Sequence, residues 1–263
     1  MDTQTAPAVR VEHADGLLRL TLDRPGVRNA LNHEIVETIT REVGAAAGDP
    51  GVRAIVFAAT GKVFSAGVDL ARLRGLSSAT RAENIADATT HCEMLRTIFT
   101  CAKPVIAAVQ GSVHGGAVGL CAACDIVVAT ENCRFSTAEA RVGLAPVLLA
   151  PYLAAAIGAR AGRYHLLTGK PIEAAEAFRL GLVHRLVPEG ELESALADTL
   201  AAILQGGPSA LRVTKRVLAD GIPLPLDDAA IRKAAEMIAD ARAGAEAYEG
   251  VAAFLDKRAP VWP

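Results

Sequence analysis

Aromatic residues make up only 4% of this 263-residue chain, one Trp, three Tyr and six Phe. That leaves few rings on which nucleobases can stack. An excess of positive charge is also missing: 27 Lys+Arg stand against 29 Asp+Glu, a formal net charge of -2. So balanced a surface does not neutralise a phosphate backbone, and nucleic acid is not expected as a partner. The five cysteines (Cys92, Cys101, Cys121, Cys124 and Cys133) are an odd set clustered mid-chain. They make a poor disulfide framework in a chain long enough to bury a core without staples. The opening MDTQTAPAVR lacks the basic start and apolar run of an export signal. Val142 to Gly158 is a long uncharged stretch, but Gly143, Pro146 and Pro151 mark it as a loop entering a buried helix, not a span. A soluble, reduced, cytoplasmic protein with no membrane partner is the expectation.

What the chain does have is apolar residues, 51% of it, with charge at 21%. This is the balance of a folded globular protein. Leu18, Leu20 and Leu22 alternate as a strand after the turn at Asp15-Gly16. Asn32 is placed to cap a helix reaching about Ala47, with Ile35, Val36, Ile39 and Val43 as its apolar stripe. Val52 to Ala59, Pro104 to Gln110 and Asp125 to Thr130 are continuous apolar runs of strand length. Ser77 to Thr100 has helical spacing, with Ile85, Met94, Leu95 and Ile98 expected on one side. Strands alternating with helices, and apolar throughout, predict an α/β fold whose sheet is covered on both faces. From Glu189 onward the pattern is helical: Glu191 to Leu204, Ser209 to Leu218, Asp227 to Arg242 and Glu246 to Arg258. Gly206-Gly207-Pro208 reads as a hinge, dividing a core of residues 1–205 from a helical region of residues 206–263.

Two loops carry chemical potential. Phe64-Ser65-Ala66-Gly67-Val68-Asp69 follows one predicted strand, and Gly111-Ser112-Val113-His114-Gly115-Gly116-Ala117 follows another. Small residues let backbone N–H groups approach a bound atom, and a following helix adds partial positive charge. Two such loops meeting at one point would form an oxyanion hole; singly, each is also explained as a tight turn.

The loops and their sequels resemble the signature of the crotonase (enoyl-CoA hydratase/isomerase) superfamily. GSVHGGAVGLCAACDIVVA is similar to its central motif and FSAGVDL to its upstream loop. Phe135 to Pro146, FSTAEARVGLAP, is similar to its catalytic-glutamate segment. Arg24-Pro25, Asn29-Ala30-Leu31-Asn32, Leu167-Thr168-Gly169 and Ala177 to Val187 extend the match in order. The resemblance implies a spiral of repeated ββα units, with C-terminal helices that pack as a homotrimer or dimer of trimers. It also implies a substrate, the thioester of coenzyme A, and no separate cofactor. By motif position, the thioester oxygen is assigned to the amides of Ala66 and Gly116.

Hydratases of the family usually carry two glutamates. One is matched by Glu139, whose bland alternative is a solvated helix-start carboxylate. The other is replaced by Gly119, which moves no proton. With one carboxylate the resemblance leaves open hydration, double-bond isomerisation, thioester hydrolysis, or a non-catalytic CoA-ester-binding subunit. GGAVGL and Ala150-Pro151-Tyr152 look closest to hydratases of the methylglutaconyl-CoA type, which favours hydration with Glu139 as acid and base. Coenzyme A contacts are implied at Arg28, Ala30 and Leu31. Ser65, Ala66, Gly67, Val68, Asp69 and Leu70 are implied to flank the pantetheine, with His114, Gly115, Gly116 and Gly119 around the acyl group. Asp69 alternatively caps a following helix. His114 meets either a substrate carboxylate or a backbone carbonyl; Arg141 meets either the acyl end or a structural partner. Phe254 and Lys257 match a region that reaches a neighbouring subunit's nucleotide, or are a helix-face aromatic and a solvated lysine. Cys121 and Cys124 lack further ligands at metal spacing, so no metal is expected and both read as packed in a buried helix.

Overall fold

The computed structural model describes residues 7–69, 72, 75, 78–220 and 227–262. Strand β1 (Val9–Ala14) forms a hairpin with β2 (Leu17–Leu22), closed by Asp15 and Gly16 at φ 52° and 76°. These left-handed values match the twist of the flanking strands. Leu18, Leu20 and Leu22 are fully buried, as their alternation predicts. Helix α1 (His33–Gly48) starts where Asn32 Oδ1 accepts the Ile35 N–H at 3.0 Å. Its buried face is Ile35, Val36, Ile39, Val43 and Ala46.

A pattern then repeats. Strand β3 (Ala54–Ala59) leads to the short β4 (Val63–Ser65) and on to α2 (Arg81–Thr100). Strand β5 (Val105–Val109) leads to β6 (Ser112–His114) and α3 (Gly116–Ala123). Strand β7 (Ile126–Thr130) leads to β8 (Arg134–Ser136) and a 3-10 turn at Glu139–Val142. The long strands assemble in one six-stranded sheet in the order β1-β2-β3-β5-β7-β10, with β10 (Arg185–Val187) at its edge. The short ones form a second sheet, β4-β6-β8-β9, closed by β9 (Ile172–Glu173). Each turn of the spiral therefore drops one strand into each sheet and returns through a helix. Helices α4 (Ala150–Ile157), α5 (Ala159–Thr168) and α6 (Ala174–Leu180) follow the third turn.

Parallel pairing of β3 with β5 and of β5 with β7 demands cover on both faces. Alternate residues divide accordingly. Ile55, Phe57 and Ala107 join the main core beneath α1, α2 and α3; Ala54, Val56, Ile106 and Ala108 join a second core under α7 (Leu192–Leu204). Helices α8 (Pro208–Asp220), α9 (Asp228–Ala243) and α10 (Ala245–Leu255) complete the chain. Lys215 of α8 donates to Asp125 Oδ2 at 2.7 Å and to the Lys103 carbonyl at 3.0 Å, fixing that helix to the starts of the interior strands β5 and β7. Among the described residues no helix is long and apolar enough to cross a membrane.

Two expectations change. Ile85 is 49% exposed, because it lies nine residues before Met94 and so half a helical circuit away. His91, one turn before Leu95, continues the buried stripe instead. The second loop is shorter than expected: β6 occupies part of it, and α3 begins at Gly116 itself.

Candidate active site

The two loops do meet. Gly67 has φ +81°, and a Cβ there would fall 2.6 Å from the His114 carbonyl oxygen and 3.5 Å from Gly115 Cα. Only glycine permits that contact. The first loop is tied from within by Ser65, whose Oγ donates to the Asn29 carbonyl at 2.7 Å and accepts the Gly67 N–H at 3.1 Å. Asn29 is fully buried; its side chain donates to the carbonyls of Thr60 and Val63 and accepts the Arg24 N–H. Ser65 thus holds the loop's shape, and so does Ala30, whose carbonyl accepts from Arg24.

Backbone pairing decides which amides are available. The Ala66 N–H is committed to the Arg28 carbonyl at 2.8 Å, so Ala66 is not the donor that its motif position suggests. Leu31 pairs with Val68 in an isolated parallel bridge: Leu31 N–H donates to Gly67 O at 2.7 Å, and Asp69 N–H to Leu31 O at 3.2 Å. In such a bridge the middle residue's own N–H turns away from its partner. Among the described residues the Val68 N–H has no acceptor. Neither has the Gly116 N–H, the first of α3 and one of the amides a helix leaves unbonded. A Cβ on Gly116 would lie 3.7 Å from Val68 Cγ2 and 4.0 Å from Leu31 Cδ1, which puts the two free amides on adjoining surfaces.

Glu139 completes the cluster. A Cβ built on Gly115, itself at φ +50°, would fall 3.1 Å from Glu139 Oε1. Its other oxygen, Oε2, is buried without a hydrogen-bond partner. Burial raises this carboxyl above the usual carboxylate range, and a bond from its own backbone only partly offsets that. Gly119 faces elsewhere: a Cβ there would meet Leu149 Cβ at 2.8 Å and Leu95 Cδ1 at 3.0 Å. Two leucines fill the space a second acid would need, so Gly119 packs α3 and does not line the Glu139 cluster.

His114 is half-buried, and its ring has no hydrogen-bond partner among the described residues. Burial first, then Arg134 and Arg28, lower its proton affinity, which makes it a neutral imidazole near pH 7. Arg141 donates to the Thr168 carbonyl at 3.3 Å, a structural contact. The Arg28 side chain is exposed, and its backbone is in the left-handed region at φ 54°. Asp69 accepts from Arg24 at 3.2 Å. Leu70 lies outside the described residues, as does the segment Asp69 was expected to cap. Phe254 is 82% exposed on α10 and Lys257 is exposed beyond it; within one chain no described contact joins either to Glu139. The sequence reading missed Val68 as the free amide and Leu149 as the residue facing Gly119. Cys121 and Cys124 are buried at the end of α3 with their thiols raised by burial, and no metal-holding group of side chains occurs among the described residues.

The family profile for enoyl-CoA hydratase/isomerase matches residues 12–263. A Thermus thermophilus relative whose name places it among enoyl-CoA hydratases is 37% identical over 91% of this chain and 94% of its own. The mitochondrial enoyl-CoA hydratase domain-containing protein 3 of Xenopus laevis is 31% identical over 98% of this chain and 87% of its own. The crystal structure of a Mycobacterium smegmatis enoyl-CoA hydratase superposes with a TM-score of 0.90 at 31% identity, covering 98% of this chain and 99% of that one. The converging loops, the spiral that carries them and these likenesses agree: the chain belongs to the enoyl-CoA hydratase/isomerase family and has the crotonase fold.

Proposed function

We propose that the protein is an enoyl-CoA hydratase in which the Val68 and Gly116 amides hold the thioester oxygen and Glu139 moves the protons. The observation that carries this reading is a half-buried carboxylate beside Gly115, one of whose oxygens is buried without a partner, next to two unbonded amides on adjoining surfaces. Ionised Glu139 takes a proton from water as the water oxygen attacks the β-carbon. The π electrons shift toward the thioester, and its oxygen becomes an enolate held by the two amides. Glu139 then returns the proton to the α-carbon, so one water is added and the carboxylate is regenerated. Fixed donors in a water-poor site stabilise that charge without reorganising; losing one costs roughly 100- to 1000-fold. The partial positive charge at the start of α3 acts in the same direction.

Arg28 is proposed to meet the coenzyme's phosphates, with Ala30, Leu31 and residues 65–70 along the pantetheine. A trimer would let Phe254 and Lys257 reach a neighbour's nucleotide, which native mass spectrometry with coenzyme A tests.

Double-bond isomerisation is the second reading, favoured by the leucines that leave Glu139 as the one carboxylate of the described cluster. A panel of crotonyl-CoA and methylglutaconyl-CoA in H₂¹⁸O separates the two. Label on the β-carbon supports hydration; a shifted double bond without label overturns it in favour of isomerisation. Release of free coenzyme A would indicate a hydrolase, and binding without turnover a CoA-ester-binding subunit.

A further inference from the structure

The two free amides ride on different elements; α2 touches α3 and also Arg72, just beyond the first loop. Near its start, Asp87 takes the guanidinium of Arg72, which also reaches Thr90 Oγ1 at 3.5 Å. Arg72 lies four residues beyond Val68, within about 14 Å of chain. Two turns along the same helix, Leu95 lies against Gly119 of α3, whose first residue is Gly116. A helix rises about 1.5 Å per residue and does not stretch, so α2 fixes the spacing between Arg72 and the start of α3. The Arg72 and Asp87 side chains are 12% and 22% exposed, which shields their pairing from solvent.

His91 sits one turn from Asp87 and is 4% exposed. Its Nδ1 lies 3.4 Å from the Asp87 carbonyl, a contact that requires the proton on Nδ1. Nε2 is then a bare acceptor buried without a partner, and Arg72 Nη1 is a donor likewise buried without one. The charged or titratable groups facing the ring are Arg72, Asp87 and, from α1, His33. Burial, then Arg72, disfavours a second proton on the imidazole, and Asp87 only partly compensates. A proton on Nε2 would set a second buried cation beside Arg72, both competing for one carboxylate.

We propose that the Arg72–Asp87 pair is a second clamp on the Val68 amide, added to the Leu31 bridge, and that protonation of His91 loosens it. This rests on the Val68–Gly116 donor pair of the functional reading; Asp87 and His91 are positioning residues that touch no substrate. The test measures kcat and KM for crotonyl-CoA between pH 5 and 8, together with hydrogen exchange at the Val68 amide. Asp87→Asn is expected to lower kcat at least tenfold with KM nearly unchanged, and Asp87→Glu to recover most of that. Val68 exchange should accelerate tenfold or more in Asp87→Asn while the β3 amides keep wild-type rates. On the acid side, the wild-type log(kcat/KM) should fall with a slope approaching two, one proton each for His91 and Glu139. His91→Gln should show a slope of one. Wild-type kcat and Val68 exchange in Asp87→Asn, or a His91→Gln profile superimposed on wild type, would overturn the clamp. If Asp87→Asn does not fold, Asp87→Glu and His91→Gln carry the decision. If the wild type turns over no enoyl-CoA, the functional reading fails and the exchange arm still decides. Acid acceleration at Val68 relative to β3 must then appear in the wild type and vanish in His91→Gln.

Discussion

Glu139 holds one oxygen in a buried place with nothing to bond, an arrangement that opposes stability and serves proton transfer. Glu139→Gln should lower kcat by about 100- to 10,000-fold. The same change should raise stability slightly at pH 7, because burial of one carboxylate oxygen disfavours the charged form. The sign follows from the raised carboxyl: above its folded-state value, ionisation is easier in the unfolded chain and favours unfolding. The advantage of Glu139→Gln should therefore shrink as pH falls through that value, which thermal melts from pH 4 to 8 will show. Gly67→Ala acts differently. Its Cβ would strike the His114 carbonyl 2.6 Å away in a left-handed backbone, so both loops must part. A loss of about 2 kcal/mol or more is expected in urea melts, with kcat/KM falling alongside it.

At the scale of elements, what was legible in the sequence depended on how local its cause was. The Asn32 cap needs only a side chain and an amide three residues on, and it was read correctly; Asn32→Ala should cost about 1 kcal/mol in denaturant unfolding. The long strands were equally plain, since β3, β5 and β7 are apolar on both faces. The three-residue strands β4, β6 and β8 are too short to show alternation. A helix after the second loop was expected, although its first turn holds Gly116 and Gly119, poor helix formers whose preference tertiary packing overrides. The free amide was misassigned for the strongest reason: its direction depends on pairing with Leu31, far upstream, which no motif position encodes. Gly119 could be seen to lack a carboxylate, but that Leu149 and Leu95 occupy the space required three dimensions. Gly119→Ala should cost about 1 to 3 kcal/mol by overpacking α3 against them, measured as a lowered melting temperature.

The whole molecule is a two-sided sheet with a helical region joined where its central strands begin. Lys215 and Asp125, whose side chains are 14% and 30% exposed, form one of those joins. Burial raises Asp125 more than Lys215 and the Val105 amide pull it down, so the lysine is what keeps a charge tolerable there. Lys215→Met should cost about 3 kcal/mol at pH 7 by stranding the carboxylate. That penalty should fade on acidification as Asp125 protonates, a trend chemical denaturation at pH 5 and pH 7 will measure. The cysteines illustrate the opposite case. With Cys133 pushed up to about 12 and Cys121 higher, these buried thiols stay protonated and behave as small apolar groups.

That the available hydrogens at positions 68 and 116 belong to the main chain shapes how the gene can fail. No codon change at position 68, short of proline, erases its donor. In a saturation library scored for turnover, position 68 should accept many residues, with the side chain sorting acyl shapes. Its neighbour Gly67 should accept almost none. The map of intolerance would then ring the reacting centre and not mark it, and a search for invariant polar side chains would pass over half of the machinery.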